Sequence, residues 1–261
     1  MLFRFNVKKT PALPPEELLY RVGLSRDKDE FLRIGKRCAE DIAAALEKNG
    51  RPIDTFRSIL DFGCGCGRTI RWFDDLDRSS RAPATTARSV WSLLSRAWRG
   101  SVELCGCDID GEAIAWCSEH LGFARFARNA HEPPSPFPDA AFDLIYSVSV
   151  FSHLREDYDA LWGAELARIA RPGGIVLLTL HGEASFGGAG ADGAARAREH
   201  GFAFVSDPTW KDTFPEWYGA SFYTEAGARR RFAEHFEVVD YLPLGLAGGQ
   251  DMIVLRKPVS G

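Results

Sequence analysis

The stretch Ser58-Ile59-Leu60-Asp61-Phe62, running into Gly63-Cys64-Gly65-Cys66-Gly67, constrains this chain more than any other. A short apolar run of this length reads as a buried strand. Three glycines at every second position then let the backbone turn sharply and approach a ligand where a side chain would intervene. A helix is expected from there to about Asp74. Its free N-terminal N–H groups would face the same space as the turn.

The rest of the pattern extends this unit. Upstream, a short helix is expected from Pro15 to Val22. Phe31, Ile34, Cys38, Ile42, Ala45 and Leu46 then recur at helical spacing, up to a stop at Asn49-Gly50. Downstream, expected strands at 102–107, 123–128 and 142–148 alternate with helices at 110–120 and 156–170. Pro172-Gly173-Gly174 reads as a turn before the all-apolar strand 175–180. Thr224 is the expected N-cap of a helix reaching His235. The last two strands, 237–242 and 251–256, are joined by too few residues for a crossover helix, so they should pair antiparallel. The expected fold is α/β, a doubly wound, mostly parallel sheet with an antiparallel C-terminal hairpin strand.

Two segments break the rhythm and are read as insertions. Residues 75–100 carry Arg78, Arg81, Arg88, Arg96 and Arg99 and are expected to be a solvated surface loop and helix. Within 182–222, Gly187 to Gly193 is expected to be mobile. Phe202, Phe204, Trp210, Phe214, Trp217, Tyr218 and Phe222 are expected to form a lid or acceptor pocket, or the small core of the insertion.

Composition excludes several classes. With 261 residues and 45% apolar content, the chain can bury a full core. No apolar run approaches the ~18 residues of a membrane span. The N-terminus has no apolar segment with a cleavage site. A cytoplasmic protein with no membrane partner is expected. The net charge of −4 draws it to no nucleic acid, and no Asn/Asp-Pro-Pro-Tyr/Phe motif is present. Cys38, Cys64, Cys66, Cys105, Cys107 and Cys117 are expected to be reduced thiols. The Cys-x-Cys pairs 64/66 and 105/107 lack the Cys-x-x-Cys spacing usual for zinc, so no metal site is expected. The oligomeric state is left open.

Two cofactor classes use a glycine turn of this kind. Dinucleotides need Gly-x-Gly-x-x-Gly, but Arg68 stands at the sixth position. Asp61 would also repel a pyrophosphate, whereas it would attract a sulfonium and an ammonium. Here the sequence resembles the class I S-adenosylmethionine-dependent methyltransferases, over roughly 56–181 and more loosely at the C-terminal strands. Five pieces carry the resemblance: the glycine turn after Asp61, Cys107-Asp108-Ile109, Asn129-Ala130, the run from Phe142 through Ser147 to His153-Leu154, and Ala170-Arg171-Pro172-Gly173-Gly174. One departure stands out: Gly67 and Asp108 lie 41 positions apart, about twice the family spacing.

The resemblance implies a seven-stranded sheet and S-adenosyl-L-methionine as cofactor. It implies that Asp61, Gly63, Cys64, Gly65 and Gly67 form the cofactor loop. Asp108 would take the ribose hydroxyls with its two acceptor oxygens, Ile109 would pack on the adenine, and Asn129 and Ala130 would read the adenine edge. Ser147 is counted with these contacts. An N-terminal unit, 1–50, would cover the cofactor site, with Tyr20 and Arg21 over the cofactor and Arg21 near its carboxylate; 51–261 would be the methyltransferase domain.

Methyl transfer requires alignment above all, and a general base only when the acceptor is protonated. His153 and His181, each following a strand, are the candidate bases. His120, His131, His200 and His235 are expected at helix ends or surface loops. The expected activity is O-methylation of a small molecule or glycan. The alternatives are a nicotinamide oxidoreductase and a catalytically inactive methyltransferase-fold binding module.

Overall fold

The computed structural model describes residues 11–74, 76, 102–206 and 218–259. Strands β1 (Ser58–Phe62), β2 (Glu103–Asp108), β3 (Arg125–Arg128), β4 (Phe142–Ser147), β5 (Ala170–Leu180), β8 (Glu237–Leu246) and β9 (Gln250–Arg256) form one seven-stranded sheet, ordered β3-β2-β1-β4-β5-β9-β8. The five strands from β3 to β5 are parallel, and β9 runs antiparallel between β5 and β8. The fold is thus the doubly wound, mostly parallel sheet with the antiparallel C-terminal hairpin that the strand spacing implied.

Alternation explains the two-sided core. Successive β1 side chains point to opposite faces, and all five positions of β1 are buried. Leu60 packs with Ile145, Trp162, Leu166 and Phe232 on one face. Ile59 packs with Ile42, Leu46, Leu144 and Val254 on the other. That second face is covered by α2 (Lys28–Lys48), whose buried Cys38, Ile42, Ala45 and Leu46 fall on one helical stripe. Asp27 caps α2 by accepting from Asp29 N and Glu30 N at 2.8 and 3.0 Å. The first face is covered by α4 (Glu156–Ile169) and α6 (Glu225–Phe232), with Thr224 capping α6 as expected. The shorter α1 (Glu16–Gly23) and α3 (Gly111–His120) flank the glycine turn.

Several expectations are corrected. After Gly67 the chain makes turns and a 3-10 helix, Ile70–Phe73, instead of an α-helix from the loop onward. The expected mobile loop at Gly187–Gly193 is regular: a 3-10 segment, Glu183–Ala189, leads into α5 (Gly190–His200). Phe186, Ala189, Ala194, Ala197 and Phe222 give it a small core of its own. This core lies under a two-stranded antiparallel sheet of β6 (Phe202–Ser206) and β7 (Gly219–Tyr223). The expected turn at Pro172–Gly174 falls within the span of β5, at a register shift opposite Phe142/Leu144. Trp210, Phe214, Trp217 and the five arginines of the 75–100 segment lie outside the described residues. Among the described residues, no helix is long and apolar enough to cross a membrane.

Candidate functional site

The strand order reverses direction of travel at β1: the chain goes from β1 outward to β2 and β3, then crosses back to β4 on the other side. Such a switch point opens a crevice beyond the carboxyl ends of the strands. A cleft of about 400 Å³ lies there, within the size range of small-molecule sites. Its walls include Asp61, Gly63, Cys64, Gly65, Asp108, Ile109, Asn129, Arg21 and His153. Nine residues expected at the cofactor or the reaction therefore border one cavity. Gly67, Ala130, Ser147, Tyr20 and His181 do not border it.

The loop is held by its backbone. Gly63 N and Cys64 N both donate to Cys107 O, at 2.8 and 2.9 Å, which ties β1 to the end of β2. Gly63 and Gly65 have φ of +79° and +51°. A Cβ on Gly63 would lie 2.1 Å from Val150 Cγ2, and one on Gly65 2.6 Å from Val22 Cγ2. Sequence and packing thus both demand glycine at these positions. Gly67, with φ +75°, turns the chain away beneath the cleft, where a Cβ would meet Leu121 Cδ1 at 2.6 Å.

The carboxylates are arranged around this bend. Asp61 is 2% exposed, and its Oδ2 is buried without a hydrogen-bond partner. Burial pushes its carboxyl up to about 7, with the Tyr146 hydroxyl and Arg68 pulling it down and Asp108 adding to the rise. Asp108 accepts from Gly65 N at 2.8 Å through Oδ2 and from Asp110 N at 2.9 Å through Oδ1. Each oxygen keeps a second lone pair for an incoming hydroxyl. Burial raises its carboxyl as well, against those two backbone donors. Asn129 is buried, and its Nδ2 donates to Ala130 O at 2.9 Å. Its Oδ1 is left buried and without a partner.

An unsatisfied buried acceptor is costly unless a ligand supplies the donor. Asp61 Oδ2 and Asn129 Oδ1 are two such acceptors, at a cleft whose glycines leave room for a close approach. The residues present therefore fit S-adenosylmethionine: a cationic amino-acid end at Asp61, two ribose hydroxyls at Asp108, an amine donor at Asn129.

Arg21 borders the cleft already paired: Nη1 lies 3.0 Å from Asp110 Oδ2 and Nη2 2.6 Å from Glu112 Oε2. These pairs fasten α1 to the start of α3. Tyr20 stands back from the cleft, with the Arg26 guanidinium 4.6 Å from its ring centre. Ser147 is fully buried within β4.

The two histidines part company. His153 borders the cleft, stacked on Tyr218 at 4.5 Å and 14°, with Nδ1 2.7 Å from Gly219 O. Burial lowers its imidazole to about 4. His181 stands behind it, edge-on at 5.5 Å, against Phe222 at 5.4 Å; burial lowers it too. Residues not singled out from the sequence also line the cleft, among them Val22, Arg68, Ser149, Val150 and Trp162. His131, exposed in its loop as expected, borders the cleft as well. Only Arg68 had a visible signal, its place next to the glycine turn.

All six cysteines are free and buried. Burial pushes the Cys66 thiol up to about 12 and that of Cys105 to about 11. Among the described residues, no group of three or more His, Cys, Asp or Glu is arranged to hold a metal ion.

Residues 87–178 match a methyltransferase domain family. A structure of S-adenosylmethionine-dependent methyltransferases from Methanosarcina mazei is similar at 19% identity, covering 78% of this chain and 93% of that one, with a TM-score of 0.50. A chain from the Haloferax volcanii complex of the Trm112 methyltransferase activator with a methyltransferase is similar at 15% identity over 95% and 100% of the two chains, with a TM-score of 0.54. The N-methyltransferase NodS from Bradyrhizobium japonicum WM9, solved with S-adenosyl-L-homocysteine, shares 14% identity over 94% and 98%, with a TM-score of 0.51. At these identities the solved structures establish the fold; the domain match carries the activity. The nicotinamide alternative is displaced, since a bend guarded by Asp61 favours a cation and the matched domain transfers methyl groups. The chain therefore carries a match to a methyltransferase domain over residues 87–178, on the fold of S-adenosylmethionine-dependent methyltransferases.

Proposed function

We propose that this methyltransferase acts on a hydroxyl group of a small molecule or glycan, with His153 as general base. The cofactor, when bound, supplies a methyl group activated by its sulfonium, so that an oxygen nucleophile displaces the thioether in line. The protein's part is to hold the two partners in register and to receive the hydroxyl proton.

The geometry of His153 carries this reading. A carbonyl only accepts, so the Nδ1 contact with Gly219 O makes Nδ1 the protonated nitrogen. Nε2 of the neutral ring then keeps its lone pair. A base lowered to about 4 is unprotonated at neutral pH, ready to accept a proton as the oxygen loses it to bond formation. His181, behind it, supports the ring from the side through the 5.5 Å edge contact. Asp61, the glycine loop, Asp108, Ile109 and Asn129 would hold the cofactor, with Ala130 beside the adenine end. Arg21 would keep α1 over it.

Tyr218, stacked on His153 at the edge of the cleft, offers an aromatic face to the acceptor. Such faces suit a sugar ring or a planar acceptor. Six free, buried cysteines suit the reducing cytoplasm. The N-terminal unit 1–50 and the 182–222 insertion would close the cofactor and acceptor ends respectively.

The test is turnover with methyl-labelled S-adenosylmethionine and matched hydroxyl and amine acceptors of one scaffold. Label on oxygen is the expected product. Transfer to nitrogen or carbon alone would overturn the hydroxyl reading, and absence of any S-adenosylhomocysteine formation would favour the inactive binding module.

A further inference from the structure

Gln250 opens the last strand, β9, and does not itself border the cleft. Because β9 runs antiparallel to β5, pairing Asp251 with Leu180, its first residue stands at the carboxyl edge of the sheet, where the cleft opens. The backbone is fixed there. The Asp251 carboxylate accepts from the Tyr241 hydroxyl at 2.7 Å and from Leu244 N at 2.8 Å. It also packs so closely on Gly182, at the end of β5, that a Cβ there would collide with Asp251 Oδ2.

From this position the Gln250 amide reaches across to the turn that follows β4. The Ser149 hydroxyl donates to its Oε1 at 3.1 Å, and its Nε2 donates to Ser152 Oγ at 3.3 Å. Bridging two hydroxyls calls for a donor and an acceptor on one group; an amide has both, whereas a carboxylate only accepts. Ser149 borders the cleft and holds a φ of +59°. A residue with a side chain keeps such a conformation only when its surroundings impose it. Here Thr179 Oγ1 takes its N–H at 2.8 Å, and Gln250 takes its hydroxyl.

The bridged turn joins two parts of the site. Val150, inside it, lies against the glycine loop, where a Cβ on Gly63 would meet its Cγ2 at 2.1 Å. His153 follows directly, its N–H donating to Val150 O at 2.9 Å. Ser152 O accepts from Ser221 N at 2.8 Å, on the same strand whose Gly219 O meets His153 Nδ1. We infer that Gln250 is a positioning residue for methyl transfer: by tying Ser149 to Ser152 it fixes the turn that sets His153 against the cofactor loop. This inference rests on the reading of His153 as the base.

Gln250→Leu keeps much of the volume and removes both hydrogen bonds; Ser152→Ala removes one end of the bridge without touching β9. The full chain is read by nitrogen NMR of the His153 ring, by calorimetric titration with S-adenosylhomocysteine, and by kcat with the hydroxyl acceptor. Wild type should show one ring tautomer, with the proton on Nδ1. Gln250→Leu should show a mixture of tautomers and a kcat about tenfold lower. S-adenosylhomocysteine should still bind within about twofold, which also reports that the variant is folded. In a Ser149→Ala/Ser152→Ala background Gln250→Leu should add little, because the partners of the amide are gone. A retained single tautomer or an unchanged kcat in Gln250→Leu overturns the inference. So does a parallel loss of S-adenosylhomocysteine affinity, or a full effect in the serine-free background. Should Gln250→Leu fail to fold, Ser152→Ala decides by the same readouts. His153→Gln with wild-type kcat overturns the base assignment and this inference with it; an impaired His153→Gln beside an unaffected Gln250→Leu overturns this inference alone.

Discussion

His153 Nδ1 lies 2.7 Å from the carbonyl oxygen of Gly219, a residue 66 positions further along the chain. The strand that supplies this oxygen, β7, is bound to the loop carrying His153 at further points. Ser221 N donates to Ser152 O at 2.8 Å, and the Ser221 hydroxyl donates to Leu154 O. The insertion read from the sequence as a lid or acceptor pocket, or as a small core of its own, is therefore also the part that sets the tautomer and orientation of the candidate base.

Replacing that base should affect the chemistry and spare the cofactor. His153→Gln is expected to lower kcat by roughly 10²–10⁴, the usual range for loss of a general base. S-adenosylhomocysteine affinity should stay within about threefold, because the cofactor contacts proposed above lie at Asp61 and Asp108. Steady-state kinetics with calorimetry checks this; an equal loss in binding would instead make His153 part of the cofactor pocket.

The pH profile follows from the same ring. With His153 lowered to about 4 from 6.5, kcat/KM should hold down to about pH 5 and fall near 4. Stability runs in the same direction. Between these values the unfolded chain binds the proton and the native one does not, so the contribution is complete above about 6.5 and is lost as pH falls toward 4. The upper bound is ~3 kcal/mol. Urea unfolding of wild type and His153→Gln from pH 4 to 8 measures it: the variant should be less pH-sensitive across that window, and identical profiles would refute the shift.

Asp61 pays the opposite way. Its folded value of about 7 lies above the ordinary 3.8, so the native state is penalised increasingly as pH rises through that interval. Asp61→Asn should therefore raise the stability of the ligand-free protein at pH 8 by about 1–2 kcal/mol and leave it nearly unchanged at pH 4. It should also weaken S-adenosylmethionine at least tenfold. Thermal melts at both pH values, with calorimetry, test the pair; a destabilised variant at pH 8 contradicts it.

Asp108→Ala removes the acceptor of both Gly65 N and Asp110 N. Loss of cofactor affinity by about a hundredfold is expected, roughly two charge-assisted hydrogen bonds. Affinity for adenosine itself should fall in parallel, since the ribose is common to both ligands. Unaltered affinity for either would mean that Asp108 shapes the loop without touching ribose.

Gly63→Ala tests the bend directly. At φ +79°, with Val150 Cγ2 2.1 Å from the added methyl, the substitution should cost about 2–3 kcal/mol. It should also abolish cofactor binding. Gly50→Ala, also at positive φ but with nothing within 4 Å of an added Cβ, is the control and should cost about 1 kcal/mol. Denaturant midpoints separate the two, and equal losses would show that crowding by Val150 is unimportant.

Much of the sheet was legible because its information is local. Ile59 and Leu60 alternate between faces, Thr224 caps by its own side chain, and the short link from β8 to β9 permits only a hairpin. The 3-10 segment at Ile70–Phe73 and the regular structure at Gly187–Gly193 were not legible. The first depends on Arg71, 1% exposed, whose guanidinium bonds Gly67 O and Ala12 O. The second depends on Phe186 and Phe222 meeting across the insertion, 6.3 Å apart. In each case contact between distant segments outweighs local propensity.

The sequence by itself determined a strand, a side-chain-free bend and an acid at the end of each of two neighbouring strands, because φ above zero and period-two burial are written residue by residue. Only the tertiary structure decided that His153 and not His181 borders the cleft, and that Arg21 is already occupied by Asp110 and Glu112. Those are questions of which groups meet, and Gly219, Asp110 and Glu112 reach their partners only when the sheet has brought separate parts of the chain to one edge.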